Sequence, residues 1–258
     1  MLTGETLADA GIDAAALKPT EVDLSRAKDL SVDAVTVDYE GREHVPDPGT
    51  LADLGADLDV RVTAPVRADG FDPLGEDDLL DAFSDAAGAV LVAGNPAYLT
   101  GEEADRAVAP RLRAAADRVT DPWVGTEGVE RLAMAVGGTQ FELLSARTER
   151  DLRALRAAGF DGEVAVYAPT VLTDDEDAVL DAVGAYAARR GPVRRALPKG
   201  AATDSTATGR AREVLRAAVP DYALAGDVAA VREQVEALRA AGADTVVAYP
   251  SRGLGPFL

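Results

Sequence analysis

Asp121-Pro122-Trp123-Val124-Gly125-Thr126-Glu127-Gly128-Val129-Glu130-Arg131-Leu132-Ala133-Met134-Ala135 is the stretch whose reading decides the fold. An apolar strand, Trp123-Val124, runs into a turn bracketed by Gly125 and Gly128, and a helix follows at once. A strand-to-helix turn of this kind leaves backbone N–H groups at a helix N-terminus, where an anion can sit. The same two glycines also serve a turn that holds no ligand, because glycine reaches backbone conformations other residues avoid. Both readings stand at this point.

Working outward, apolar β-type runs recur on both sides. Ala14 to Leu17, Ala34 to Asp38, Val60 to Ala64 and Ala89 to Ala93 precede Trp123-Val124; Gln140 to Leu144, Val164 to Ala168 and Thr245 to Tyr249 follow it. Several are continuous rather than alternating, as strands covered on both faces are. Helical patterns lie between them. Leu24 to Leu30 is short, Pro48 to Leu54 starts behind Asp47 as N-cap, and Glu76 to Phe83 carries an apolar stripe. Glu102 to Val119 opens with acids in its first turn, and Gly128 to Val136 closes at Gly137-Gly138. Thr148 to Ala158 stops at Gly159, and Val231 to Ala241 at Gly242. Eight strand–helix alternations imply parallel strands with right-handed crossovers. The expected fold is α/β, a (βα)8 TIM barrel in a single domain, for which about 250 residues is usual. An open doubly wound sheet is the rival, but no GxGxxG follows the first strand.

One crossover is out of proportion. From Thr173 to Asp244 the chain runs far beyond the roughly 10–15-residue helical pattern of a plain unit. A capped acidic helix is expected from Thr173 to about Arg190, then a small polar stretch from Ala201 to Gly209, then a helix from Arg210 to Ala218 ended by Pro220. This excursion reads as a lid or an oligomer contact, with a homodimer as the expected assembly.

Composition limits the partners. The 258 residues carry 45 acidic against 26 basic side chains, a net charge of −19, and the acids are scattered rather than gathered in a tail. Attraction to nucleic acid or an anionic membrane is opposed, leaving a small-molecule substrate. The acidic shell matches salt-adapted, halophilic proteins, in which high salt screens self-repulsion. Without cysteine there is no disulfide, thiolate catalysis or Cys-ligated metal. No apolar run is long enough for a bilayer and no signal-like N-terminus is present, which points to the cytoplasm.

In a barrel, chemistry belongs at the C-terminal ends of the strands. The candidates there are Lys18, Asp38 with Tyr39 and Glu40, Thr63 to Arg67, Gly94-Asn95, Gly125 to Gly128, Ser145, Tyr167 with Thr170, and Ser251 to Gly253. Lys18, one of only three lysines, could serve a Schiff-base aldolase or lyase. Arg67 is placed for a phosphate or carboxylate. His44, the sole histidine, lies in a loop and reads as exposed. Neither a G-x-S-x-G elbow nor an HExxH spacing occurs, and no metal site is expected.

Three segments carry a family resemblance. Pro122 to Gly128 with Leu132-Ala133-Met134-Ala135, Val166 to Val171 with Asp174 to Ala178, and Ala225-Gly226-Asp227 through Val231, Leu238, Gly242, Asp244, Val246-Val247 and Pro250 resemble the bacterial luciferase-like superfamily, which includes coenzyme F420-dependent reductases. They cover roughly half the chain. The resemblance implies a flavin- or F420-dependent oxidoreductase, either reductase or monooxygenase, with FMN or F420 over the strand mouths. It implies a cofactor phosphate near Gly125, Thr126, Glu127 and Gly128, and ring contacts from Thr63, Ala64, Arg67 and Gly94. It also implies an Asp-His pair after the second strand, which here reads Asp38-Tyr39; these two would orient substrate or shuttle a proton, with Lys18 and Tyr167 as substrate contacts. A barrel that has kept the fold and acts as a binding or regulatory protein is the alternative.

Overall fold

A computed structural model describes residues 6–257. Nine strands lie among them: β1 (Ala14–Leu17), β2 (Ala34–Val37), β3 (Asp59–Pro65), β4 (Gly88–Val92), β5 (Trp123–Gly125), β6 (Thr139–Leu143), β7 (Val164–Leu172), β8 (Leu224–Gly226) and β9 (Thr245–Pro250). The sheet runs β6-β5-β4-β3-β2-β1-β9-β7-β8, and a further pairing of β6 with β7 closes it. The successive pairs from β1 to β6 are parallel. The fold is thus a closed parallel α/β barrel. β8 is a three-residue addition, aligned parallel to the end of β7 from Thr170↔Leu224 to Leu172↔Gly226.

The chain divides into two compact units, one of residues 14–142 with 161–165, the other of 6–13, 143–160 and 166–257. In the first, the registers set side chains in levels. Ala16, Thr36, Arg61 and Gly88 are successive neighbours on one level, and Thr63, Val90, Trp123 and Thr139 on another. Arg61 explains the glycine beside it: a Cβ on Gly88 would lie 3.2 Å from the arginine stem. The guanidinium continues over the Trp123 ring at 4.8 Å, bonds the Asp121 carbonyl at 2.8 Å and pairs with Asp59 at 3.0 Å. Trp123 in turn stacks on Phe141 at 5.6 Å. Asp121 is the one non-glycine residue with positive φ among those described (46°), and it accepts that bond at the entrance to β5.

Helix ends follow the caps. Asp47 accepts the N–H groups of Gly49 and Thr50, Asp227 accepts that of Ala230, and Thr100 and Glu103 form a reciprocal capping box. Gly242, at φ 121°, stops the last long helix with its N–H on the carbonyls of Leu238 and Arg239.

Three helical expectations are corrected. The helix expected from Glu102 to Val119 is two, Gly101–Ala104 and Val108–Ala116. Pro110 has no N–H and its ring opposes a helical carbonyl four residues back, so the chain leaves the helix and restarts with Pro110 in a first turn. Pro220 does not end its helix, which runs from Gly209 to Tyr222. In the last turn the proline forgoes one backbone bond, while buried Val219 and Tyr222 hold the turn in place. The helix expected from Thr173 to Arg190 is Glu176–Val179, a wide π turn at Leu180–Gly184 and Ala185–Ala188, followed by an unanticipated helix, Gly191–Ala196. Gly184 lies so close to the Thr203 carbonyl that a Cβ there would be 2.3 Å from its oxygen.

Between β7 and β9 the excursion builds its own apolar cluster, including Leu180, Val183, Leu215, Val219 and Tyr222. At its polar edge Arg212 pairs with Glu176 and Asp177, each at 2.6 Å.

Candidate functional site

The C-terminal ends of β1 to β6 are tied neighbour to neighbour. After β1, Lys18 pairs with Glu21 at 3.1 Å. Asp38, immediately after β2, donates its N–H to the Leu17 carbonyl at 2.8 Å. Glu40 accepts the Thr20 N–H at 3.0 Å and the Thr20 hydroxyl. The β1 and β2 ends are therefore one polar group: Lys18, Thr20, Glu21, Asp38 and Glu40.

Tyr39 reaches the loop after β3. Its ring meets Phe71 edge-on at 5.5 Å, and Phe71 is fully buried. Burial raises the Tyr39 pKa above its ordinary 10.0, and the negative charges of Glu103 and Glu43 push it the same way. Tyr39 is thus a neutral phenol, a hydroxyl donor at a strand mouth ringed by carboxylates.

Thr63 and Ala64 are strand residues of β3, half-buried and buried. Arg67 works across to the loop after β4. Its Nε bonds the Ala93 carbonyl, one terminal nitrogen the Ala104 carbonyl and the other the Gly94 carbonyl at 2.9 Å. Such a fork suits a planar guanidinium with several fixed donors. Gly94 stands at φ 89°, where a Cβ would also strike Leu99 at 2.9 Å. Glu103, buried, accepts the N–H groups of Asp69 at 2.8 Å and Thr100 at 2.7 Å. Burial pushes its carboxyl up, but these N–H bonds, the Thr100 hydroxyl and the Arg106 charge outweigh that and leave it below its usual value. Arg106 completes the tie, bonding the Arg67 carbonyl at 2.7 Å and Asp69 at 2.7 Å.

Gly125 is buried, and a Cβ there would sit 2.8 Å from Val92. Close packing of β5 on β4 therefore accounts for this glycine. Thr126 donates its N–H to the Phe141 carbonyl at 3.0 Å, binding the turn to β6. Glu127 and Gly128 are exposed, Gly128 at φ 71° with nothing within 4 Å of a Cβ. The following helix, Glu130–Val136, carries Arg131 in its first turn, exposed and with no carboxylate partner among the described residues.

Tyr167 belongs to the second unit. It is buried and stacks on Tyr249 at 6.3 Å with the rings 7° from parallel, while its carbonyl accepts the Leu144 N–H at 2.8 Å. His44 is exposed in a short helical turn, 3.6 Å from Glu43.

Sequence reading did not single out Phe71, Glu103, Arg106 or Arg131. The capping box Thr100-x-x-Glu103 was legible as a helix start, but nothing in the sequence places Glu103 against Asp69. A cleft of about 500 Å³ in the first unit lies elsewhere, lined by Leu58, Asp59, Val60, Gly88, Arg118 and Thr120 at the N-terminal ends of β3 and β4. That end of a barrel serves stability rather than chemistry. Among the described residues no group of three or more His, Cys, Asp or Glu side chains is arranged to hold a metal ion, and no helix is long and apolar enough to cross a membrane.

The fold is a closed parallel α/β barrel, and solved structures share it. The coenzyme F420-dependent tetrahydromethanopterin reductase from Methanopyrus kandleri is similar with a TM-score of 0.64 at 14% identity, over 95% of each chain. An F420-dependent secondary alcohol dehydrogenase, solved in complex with an F420–acetone adduct, gives 0.63 at 12% identity, over 95% of this chain and 96% of that one. The monooxygenase RslO1 from Streptomyces bottropensis gives 0.50 at 16% identity, over 95% and 94%. None of the curated proteins matches the chain significantly by sequence. The chain belongs to the family of unknown function DUF7388, whose model matches residues 7–257.

Proposed function

We propose that the chain is an oxidoreductase that uses a flavin-type ring, FMN or coenzyme F420, to reduce or oxygenate a small molecule. The observation that carries this reading is the likeness, over 95% of the chain, to an F420-dependent reductase and an F420-dependent alcohol dehydrogenase. At the end of β2 the pair is Asp38-Tyr39, with tyrosine in place of the histidine that the resemblance implies. When bound, such a ring supplies hydride transfer or oxygen activation.

The residues of the β5 turn fit a phosphate-bearing group. Gly128 has open space beside it, and Arg131 has no carboxylate competing for its guanidinium among the described residues. Glu130 is exposed, so its carboxylate can turn to solvent. In this reading Gly128 and Arg131 hold the phosphate, with Thr126 fixing the turn. Thr63, Ala64 and Gly94 border the ring. Arg67 is a positioning residue, because its three nitrogens are committed to the carbonyls that shape the loop after β4.

Tyr39, neutral by burial, holds a proton on its hydroxyl and donates a hydrogen bond to a substrate oxygen. Asp38 accepts the substrate's own O–H or N–H. Lys18 is a further substrate contact. For the aldolase alternative Lys18 is poorly prepared, since an amine held to Glu21 is not free to attack a carbonyl.

The test is titration of FMN and of F420 into the protein in molar KCl, followed by quenching of cofactor fluorescence. Saturable quenching weakened at least tenfold by Arg131→Glu is expected. No binding of either cofactor to protein shown folded by circular dichroism rejects the redox reading in favour of a ligand-binding barrel.

A further inference from the structure

Arg106 lies in the break between the helices Gly101–Ala104 and Val108–Ala116. Pro110 sets that break, so Arg106 belongs to neither helix. Its side chain reaches the loop after β3 and grips it at three places. One terminal nitrogen bonds the Arg67 carbonyl at 2.7 Å and lies 3.4 Å from Asp72, while the other bonds Asp69 at 2.7 Å. The loop is tight: Ala68 donates its N–H to the Pro65 carbonyl at 2.8 Å, and Phe71 donates to that of Ala68 at 3.0 Å. Glu103 holds the same loop from the end of the first helix by accepting the Asp69 N–H at 2.8 Å. Charge balance alone does not require Arg106, because the buried Asp72 carboxylate already has Arg111 at 2.9 Å. The backbone bond to Arg67 is what Arg106 adds.

Phe71 is what the loop carries. Fully buried, it meets the Tyr39 ring at 5.5 Å and the Phe83 ring at 6.2 Å. Tyr39 lies outside any strand or helix, so its ring is placed by what it packs on. The contacts therefore form a chain: Arg106 to the loop, the loop to Phe71, and Phe71 to Tyr39. A guanidinium suits the first link, since its planar fork serves a carbonyl and a carboxylate at once, which the single nitrogen of lysine does less well.

We propose that Arg106 is a positioning residue for Tyr39: by holding the loop after β3 closed, it keeps Phe71 on the Tyr39 ring and fixes the phenol at the end of β2. The proposal deepens the oxidoreductase reading and rests on it, because there the Tyr39 hydroxyl donates to substrate. Side chains that meet a substrate need this kind of support from residues that do not touch it.

The Tyr39 phenol reports on the loop. Burial is the largest influence raising its pKa above 10.0; Glu103, Glu43 and Asp69 push the same way, and Arg42 opposes them. A released loop lets water reach the ring, so the titration midpoint moves down towards 10.0. The experiment is an NMR titration of the full chain with isotope-labelled tyrosine in molar KCl, with Tyr39→Phe identifying the Tyr39 signal among the six tyrosines. Arg106→Met is expected to lower the Tyr39 midpoint. Arg111→Met removes a pair to the same Asp72 but leaves the Arg67 carbonyl held; it is expected to lower the melting temperature and leave the Tyr39 midpoint in place. Arg106→Lys keeps the charge without the fork and is expected to shift the midpoint down as well; it carries the test if Arg106→Met does not fold by circular dichroism. A Tyr39 midpoint that stays or rises in the folded Arg106 variant overturns the proposal, and so does an equal fall in Arg111→Met. The titration uses no cofactor, so its failure is distinct from a failure of FMN or F420 to bind.

Discussion

At Tyr39 and Asp77 burial is the largest influence on the acidity of the side chain, ahead of the neighbouring charges. Tyr39→Phe keeps the ring against Phe71 and deletes only the hydroxyl. Its stability is expected to stay within about 0.5 kcal/mol of wild type, while cofactor-dependent turnover falls roughly 10²-fold with cofactor affinity unchanged; equal turnover would remove Tyr39 from the proposed chemistry. Asp77 is a structural counterpart. It is buried, pairs with Arg118 at 2.6 Å, and leaves Oδ1 without a hydrogen bond. Burial raises its pKa from 3.8 to about 6, against the pull of Arg118. A carboxyl whose folded pKa is raised contributes stability that is full below its unfolded value and is lost as pH rises through the folded one. Asp77→Asn does not titrate, so wild-type stability relative to the variant is expected to fall by about 1–2 kcal/mol between pH 4 and pH 7, after discounting for water around Arg118. Denaturant titrations of both proteins across that range measure it, and a constant difference contradicts it.

At the scale of elements, the junction around β5 depends on close backbone approach more than on side chains. Gly138, at φ 76°, passes so near the Pro122 carbonyl that a Cβ would lie 2.2 Å from its oxygen, and Thr139 then donates its N–H to that carbonyl at 3.1 Å. Gly138→Ala is expected to destabilise by more than about 2 kcal/mol, combining left-handed strain with a clash against backbone; thermal melts decide it, and a loss below half that figure means the junction yields easily. The same geometry explains what could be read in advance. Buried strands such as Val164–Leu172 announce themselves as continuous apolar runs, and caps such as Asp47 and Asp227 act through near neighbours in sequence. Leu224–Gly226 has three residues and no pattern, so only its pairing with β7 makes it a strand. The break before Pro110 and the helix that runs through Pro220 depend on what each turn packs against, which local sequence does not carry. The loops at the strand ends were legible as positions, since order along the chain fixes which loop follows which strand. The contacts among them were not: Arg67 on three carbonyls and Tyr39 on Phe71 join residues separated along the chain.

For the whole molecule, charge is the term that solution conditions can move most. With a net −19, like charges crowd the folded surface and favour expansion. Many of the acids face only water: Asp53, Asp85, Asp105, Asp161 and Asp221 are exposed and make no ion pair among the described residues. Salt shortens the reach of this repulsion from about 10 Å at 0.1 M to about 3 Å at 1 M. The paired surface charges, such as Arg153 with Glu149, lose little by screening, because exposed pairs contribute at most about 1 kcal/mol each. Repulsion therefore outweighs attraction in the salt response, and the melting temperature is expected to climb steadily from 0.1 M to 2 M KCl. The component due to charge saturates once the screening length falls below the spacing of neighbouring acids. Replacing five exposed acids, Asp53, Asp85, Asp105, Asp161 and Asp221, by asparagine removes part of the repulsion at its source. That variant is expected to melt higher than wild type at 0.1 M KCl and to gain less from added salt. If instead the wild-type melting temperature is flat or falls with KCl, the acidic shell has no electrostatic part in salt adaptation, and its role is confined to solubility.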